Sequence, residues 1–262
     1  MTDPAAPGRP LAVVTGASSG IGAAFAELLA ARGCDLRVVA RREDRLAALC
    51  AKLARERGVS ATYDVADLAT EEGLDRWIAS VRAGGRTPAW LVNNAGFGAA
   101  ASTLDVPLDR LRRMLRLNVE AVLVASRELG GDMAKEGGGV IVNVASTAAF
   151  QPLPWFGAYA ATKAFVLHFS EALHVELRGR VRVVALCPGY TATEFEGTSN
   201  LGGRFDRFPR MSAFDVARGA LAAADRGAAL HVPGLMNKIQ TFLSMKAPRT
   251  LVRAAATRLF RV

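Results

Sequence analysis

The stretch Thr15-Gly16-Ala17-Ser18-Ser19-Gly20-Ile21-Gly22 has the residue types and spacing to hold a pyrophosphate. It follows a short apolar run and leads into a helical one. Gly16 permits the tight turn, Gly20 lets the backbone approach a phosphate with no Cβ in between, and Gly22 permits close helix–strand packing. The N–H groups and positive end of the following helix face the anion. The spacing G-x3-G-x-G differs from the general dinucleotide pattern, so its weight comes from its place between a strand and a helix. Gly16, Ser18, Ser19, Gly20, Ile21 and Gly22 are therefore candidate cofactor-binding residues, the alternative being a purely structural turn. Where the second apolar run ends, Ala40 is followed by Arg41 and Arg42 rather than by an acid that would bond a ribose 2′-hydroxyl. A carboxylate about 4 Å from a 2′-phosphate would repel each unit charge by ~4 kcal/mol at an effective dielectric of about 20, whereas the guanidinium fork matches phosphate. Arg41 as main ligand and Arg42 as its assistant point to NADP(H). The alternative is a pair of solvated arginines opening a charged helix, since Glu43 and Asp44 follow.

A second group lies further along. Tyr159 and Lys163, four residues apart on a predicted helix, share one face. Ser146 stands at the C-terminal end of a predicted strand, where ligands bind in open α/β sheets. Asn118 falls in a predicted long helix. The elements that must position these residues alternate. Strands are expected at Leu11–Thr15, Leu36–Ala40, Ser60–Asp64, Trp90–Asn93, Val140–Ala145, Val181–Cys187 and Leu230–Val232. Helices are expected at Ile21–Arg32, Glu43–Arg57, Glu71–Ala83, Leu108–Lys135, within Trp155–Arg178 and at Ala213–Arg226. Near-continuous apolar strands separated by helices imply a doubly wound parallel sheet of about seven strands with helices on both faces, in an α/β single domain. The segment Tyr190–Met211 breaks the rhythm and reads as a functional loop.

TGASSGIG at 15–22, NNAG at 93–96, Asn118, Ser146, Tyr159-x-x-x-Lys163 and Pro188-Gly189 occur in this order. The chain resembles the short-chain dehydrogenase/reductase family over about Leu11–Val232, as an NADP-preferring member with a Rossmann-like fold. The resemblance implies that Tyr159 is the general acid for carbonyl reduction or the base for alcohol oxidation. Its phenolate, ordinarily formed near pH ~10, would be favoured by Lys163 and by the oxidised nicotinamide. It implies that Lys163 also bonds the nicotinamide ribose. Ser146 would hold the substrate oxygen, and Asn118 would anchor a water that joins Lys163 to solvent. By matching positions, Asp64 and Val65 look like the adenine contact, and Asn94, Ala95 and Gly96 like the segment crossing the middle of the cofactor. Pro188, Gly189, Thr191 and Thr193 look like the segment fixing the carboxamide. In the family the 190–211 region covers the substrate. Phe195, Leu201, Phe205 and Phe208 could form an apolar lid, with Phe97, Phe150, Leu153, Trp155 and Phe156 lining a pocket for an apolar ketone or aldehyde. A homodimer or homotetramer is the family expectation.

Composition bounds the rest. The 262 residues are 51% hydrophobic, enough for a large core and against disorder. MTDPAAPGRP has no apolar h-region and no apolar run reaches membrane-span length, so the cytoplasm is expected. Cys34, Cys50 and Cys187 read as buried thiols, and neither they nor the three histidines suggest a metal site. The net charge of +9 sits largely in the tail. Lys238, Lys246, Arg249, Arg253, Arg258 and Arg261 have no acid among them from Met236 onward, while the rest of the chain is nearly balanced. That placement argues against nucleic acid. Residues 1–234 form the expected catalytic domain and 235–262 a basic amphipathic helical extension. Pro248 should split the extension, and Leu251, Ala255 and Leu259 give it a stripe widened by Val252 and Phe260. The extension would pack on its own or a partner subunit, or lie on an anionic membrane surface. Three functions follow: an NADPH-dependent carbonyl reductase, a cofactor-binding regulatory or scaffold protein without turnover, and a membrane-surface reductase of a lipid or sterol ketone. The complete Asn118, Ser146, Tyr159 and Lys163 set favours the first over the second.

Overall fold

The computed structural model describes residues 8–199 and 210–260. Its strands are β1 (Leu11–Thr15), β2 (Asp35–Ala40), β3 (Ala61–Val65), β4 (Trp90–Asn93), β5 (Gly139–Val144), β6 (Val181–Leu186), β7 (Thr191–Ala192), β8 (Met211–Ser212) and β9 (Leu230–His231). A seven-stranded sheet runs β3-β2-β1-β4-β5-β6-β9, and β7 pairs with β8 separately. All pairs are parallel, for example Val14 with Val38 and Val92, and Ile141 with Val183. Parallel neighbours require crossovers, which the helices supply. These are α1 (Gly20–Ala31), α2 (Glu43–Arg57), α3 (Glu71–Ala83), α4 (Leu108–Leu115), α5 (Ala121–Lys135), α6 (Gly157–Glu176), α7 (Phe195–Thr198), α8 (Ala213–Asp225), α9 (Leu235–Lys246) and α10 (Arg249–Phe260).

Successive strand residues point to opposite faces, and here both faces are dry. Val14, Val38, Val142 and Val184 pack with Phe25 and Leu29 of α1, Leu46 and Leu53 of α2, and Val216 of α8. Their neighbours Val13, Val39, Ile141 and Val183 pack with Trp77 of α3, Leu129 and Met133 of α5, and Leu173 of α6. Each such side chain contributes roughly 1.5–3 kcal/mol on burial. Local signals set the ends. Gly58 closes α2 in the left-handed region at φ 61, and the Thr70 hydroxyl caps α3 by accepting from the Gly73 N–H. Strand order reverses between β1 and β4, which opens a crevice at the C-terminal strand ends.

Two expectations change. The helix read as continuous over Leu108–Lys135 is interrupted by a π-turn at Arg116–Glu120. The apolar spacing persists through such a turn, which is why the sequence conceals it. In the tail the helix breaks at Ala247-Pro248, but Val252 and Ala256 are the buried face of α10, and Leu251 and Ala255 point outward. The side chains of Leu259 and Phe260 lie outside the described ones. Cys34, Cys50 and Cys187 are buried and unpaired. Among the described residues no helix is long and apolar enough to cross a membrane, and no cluster of ligating side chains could hold a metal.

Candidate active site

The crevice is a cleft of about 1060 Å³ running from the glycine-rich turn to Tyr159. At its nucleotide end Gly16 has φ +67, and a Cβ there would stand 2.8 Å from the Ala95 Cα. Its N–H donates to the Val39 carbonyl at 2.8 Å. A Cβ on Gly22 would stand 2.4 Å from the Gly16 carbonyl oxygen, so Gly22 packs against the turn itself. The Asn94 side chain staples the turn by donating to the Thr15 and Gly16 carbonyls at 2.9 and 3.2 Å. Ser18, Ser19, Gly20 and Ile21 line the cleft. Ser19 precedes α1 without capping it, leaving the first N–H groups of the helix for a bound anion. A cradle that Cβ atoms would fill, beside uncapped amides, fits a dinucleotide pyrophosphate.

Beside it both arginines line the cleft, and they differ in their contacts. Arg42, immediately before α2, turns back onto the cradle. Its Nη2 donates to Ser18 Oγ and Ser19 Oγ, both at 2.9 Å, and its Nη1 to Glu194 Oε2 at 2.7 Å. Arg45 bonds the other oxygen of Glu194. These two guanidinium groups hold the Glu194 carboxyl down to about 2. Arg41 lines the cleft from its exposed rim.

The adenine expectation at Asp64 and Val65 is corrected. The third strand runs through Val65, one residue further than the sequence suggested. Asp64 is committed to Arg37, at 2.7 and 2.9 Å, and to the Ser80 hydroxyl at 3.0 Å. Neither Asp64 nor Val65 lines the cleft, whose wall there is Ala66, Asp67 and Leu68. Burial pushes the Asp67 carboxyl up, but bonds from Arg113 and the Ala69 N–H outweigh it and leave it below the usual range.

At the opposite end α6 presents Tyr159 and Lys163 on one face, with only 6% and 4% of their surface exposed. The Tyr159 ring stacks on Phe156, centroids 4.4 Å apart, and meets Phe195 of α7 at 5.3 Å. Burial pushes its phenol up, and the hydrogen bond with Ser146 pulls partly back. The Ser146 oxygen accepts the Ala148 N–H at 3.1 Å, which leaves its own hydrogen to donate elsewhere. Lys163 Nζ donates to the Val144 carbonyl at 2.7 Å and lies 5.8 Å from the Tyr159 ring centroid. Burial pulls its ammonium down to about 8.

Asn118 sits in the π-turn, fully buried. Its Oδ1 accepts the Phe97 N–H at 3.1 Å, and its Nδ2 donates to the Phe97 carbonyl at 2.9 Å and to Thr162 Oγ1 at 3.1 Å. Thr162, which the sequence reading missed, in turn donates to the Tyr159 carbonyl at 2.7 Å. A Cβ on Gly96 would be 3.0 Å from Asn118 Oδ1 and 3.4 Å from Lys163 Nζ, so the bare backbone of Gly96 lets both approach one wall. Ala95 and Gly96 line the cleft with Pro188, Gly189, Thr191 and Thr193. The Pro188 carbonyl accepts the Thr147 N–H at 2.9 Å, tying that segment to the turn after Ser146.

Of the expected pocket residues, Phe97, Leu153, Phe156 and Phe195 line the cleft. Phe150 and Trp155 do not. Phe150 packs beneath with Val166 and Leu167, and Trp155, at φ 60, packs against the Tyr159 cluster. Leu201, Phe205 and Phe208 lie outside the described residues. Two contributors had no sequence signal. Ser199 is fully buried at the end of α7, where its hydroxyl accepts the Gly98 N–H at 3.1 Å and pins the start of the loop. Leu235, Met236, Asn237 and Gln240 of α9 form part of the cleft wall.

Comparison with known proteins matches this geometry. The family model for short chain dehydrogenase matches residues 10–202. The very-long-chain 3-oxoacyl-CoA reductase of Anas platyrhynchos is 35% identical over 72% of this chain, which spans 62% of that protein. A short-chain dehydrogenase from Sphingobium yanoikuyae, solved in complex with NADPH, superposes with a TM-score of 0.81 at 32% identity, covering 92% of this chain and 97% of that one. The bulky-bulky ketone specific alcohol dehydrogenase of Comamonas testosteroni superposes with a TM-score of 0.77 at 30% identity, covering 92% and 95%.

Proposed function

The chain belongs to the short-chain dehydrogenase family of oxidoreductases, and from that premise we propose that it reduces a bulky apolar ketone or aldehyde with NADPH, Tyr159 giving the proton. NADPH, held between the glycine-rich turn and the Pro188–Thr193 segment, supplies the hydride when bound. The observation that carries the reading is the buried Tyr159 phenol, bonded to Ser146 and flanked by Lys163, at one end of a cleft whose other end is a phosphate cradle.

Ser146 holds the substrate oxygen by donating the hydrogen that its bond with Ala148 leaves free. Tyr159, kept protonated by burial, hands its proton to that oxygen as negative charge develops there. The Lys163 ammonium stabilises the resulting phenolate. Asn118 fixes the Phe97 backbone and Thr162, which keeps α6 and the Gly96 segment in register around Lys163.

Two features support the finer choices. Arg42 and Arg45 already grip an anion, the Glu194 carboxylate, beside Ser18 and Ser19, and β2 ends without an acid, which suits a 2′-phosphate. Phe97, Leu153, Phe156 and Phe195 give the reacting end an apolar wall, which suits large carbonyl compounds like those named for the Comamonas enzyme. The test is NADPH consumption over a panel of ketones and aldehydes, with NADH as control. Turnover of bulky apolar compounds, faster with NADPH, is expected. Turnover confined to small polar carbonyls, or equal use of NADH, would overturn the corresponding half of the proposal.

A further inference from the structure

We propose that α9 docks the protein on an anionic lipid surface with the mouth of the cleft turned toward the lipid. The helix has its polarity inverted. Its inward face is polar: Asn237 donates to the Pro233 carbonyl at 2.7 Å, Thr241 is buried and bonded to the Asn237 carbonyl, and Ser244 donates to Gln151 Oε1 at 2.8 Å. Its outward face carries Leu235, Met236, Ile239, Phe242, Leu243 and Met245, each at least 45% exposed. A soluble helix buries the apolar stripe and shows the polar one. A contiguous apolar patch on a free surface marks an interaction site.

Charge selects the occupant. The chain has no Asp or Glu after Asp225. At 3.6 residues per turn Lys238 and Lys246 fall within the apolar arc, and Arg249 follows at once. Among the described residues no ion pair engages Lys238, Lys246, Arg249 or Arg253. A second copy meeting this face symmetrically would set the same cations against each other with no Asp or Glu of α9 or α10 to separate them. Anionic headgroups take the cations, and acyl chains take Phe242 and Leu243. Position agrees, because Leu235 and Met236 belong both to the exposed face and to the cleft wall. An apolar compound partitioned in the bilayer would thus reach the cleft without crossing water. That last consequence rests on the proposed reduction; the docking does not.

The test is co-sedimentation of the full chain with phosphatidylcholine vesicles, with and without phosphatidylglycerol, alongside light scattering for size. Wild type should pellet with the anionic vesicles and stay in solution with the neutral ones. F242S/L243S should lower the partition coefficient about tenfold or more, and K238Q and K246Q each by about fivefold, with unchanged thermal melts and NADPH binding. Neither altered pair lines the cleft, and the vesicle readout needs no turnover, so it separates docking from catalysis. Wild type that ignores anionic vesicles, or variants that pellet like wild type, would overturn the proposal. So would an oligomer that F242S/L243S splits into monomers, since the face would then be a subunit interface.

Discussion

At the nucleotide end of the cleft, Arg42 and Arg45 share Glu194 at the surface, all three side chains 40–45% exposed. At the reacting end, Lys163 is 4% exposed and leans on a carbonyl oxygen and an aromatic ring, with no carboxylate bonded to it among the described residues. Exposed ion pairs are weak, screened by salt and readily exchanged. A buried unpaired ammonium is expensive and shifts its own titration instead. One end is therefore suited to trading one anion for another, and the other to moving a proton between groups that cannot leave. Salt should perturb the first end and pH the second.

The largest effect should come from Tyr159→Phe, which keeps the ring stacked on Phe156 and removes only the hydroxyl. Turnover should fall by about 10³-fold while NADPH affinity by titration stays near wild type. Retained turnover would break the division between the two ends. Lys163→Met should lower turnover by about 10²-fold and also abolish a pH trend. Burial pulls the Lys163 ammonium down to about 8, below its ordinary 10.5. The unfolded chain then binds more protons between those values, so stability rises as pH climbs from about 8 toward 10.5. Wild-type melting temperature should rise over that window until tyrosine ionisation intervenes, and the Lys163→Met variant should lose the rise.

Arg42→Gln should raise the KM for NADPH by about tenfold and leave that for NADH nearly unchanged. Arg41→Gln should do less, because Arg41 stands at the rim. If Arg41 proves the larger, the ranking read from the sequence is restored and the geometry around Ser18 is not what discriminates. The smallest effect is expected from Glu194→Gln. Removing the resident anion should tighten NADPH binding by about twofold to fivefold at low salt and steepen its salt dependence, because the site becomes more positive. Weaker binding would mean that Glu194 orders the arginines for the cofactor rather than competing with it.

How much of this was legible in the sequence depends on whether a residue's signal is local. The strands are plain because runs such as LAVVT and VRVVAL are short, rich in Val and alternate with longer helical stretches. The glycine-rich turn and the Tyr159–Lys163 spacing were legible because one helix or one turn sets their geometry. Asp64 lies off the cleft wall because its carboxyl is held by Arg37 and Ser80, partners that are distant in sequence and leave no local sign. Arg42 was ranked second because nothing in Arg41-Arg42 says which guanidinium turns back to Ser18. Ser199 and Thr162 gave no warning, since each acts through a partner distant in sequence. Spacing centres the stripe of α10 on Leu251 and Ala255 with Val252 at its margin, yet Val252 and Ala256 are the buried residues, Ala256 packing in the cluster of Leu153 and Tyr159.

The π-turn at Arg116–Glu120 has a consequence for how this region can vary. A turn closed by i→i+5 bonds holds one residue more than its α counterpart, so the stretch amounts to a single inserted residue within an otherwise regular rod from Leu108 to Lys135. Excising one residue within the turn would let the rod close with Leu129 and Met133 still on their face but would draw the Asn118 amide off Phe97, whereas a deletion elsewhere in the rod would swing Leu129 and Met133 by about 100° relative to Met114. Exposed positions such as Leu115 can change identity freely, but here the fold counts residues.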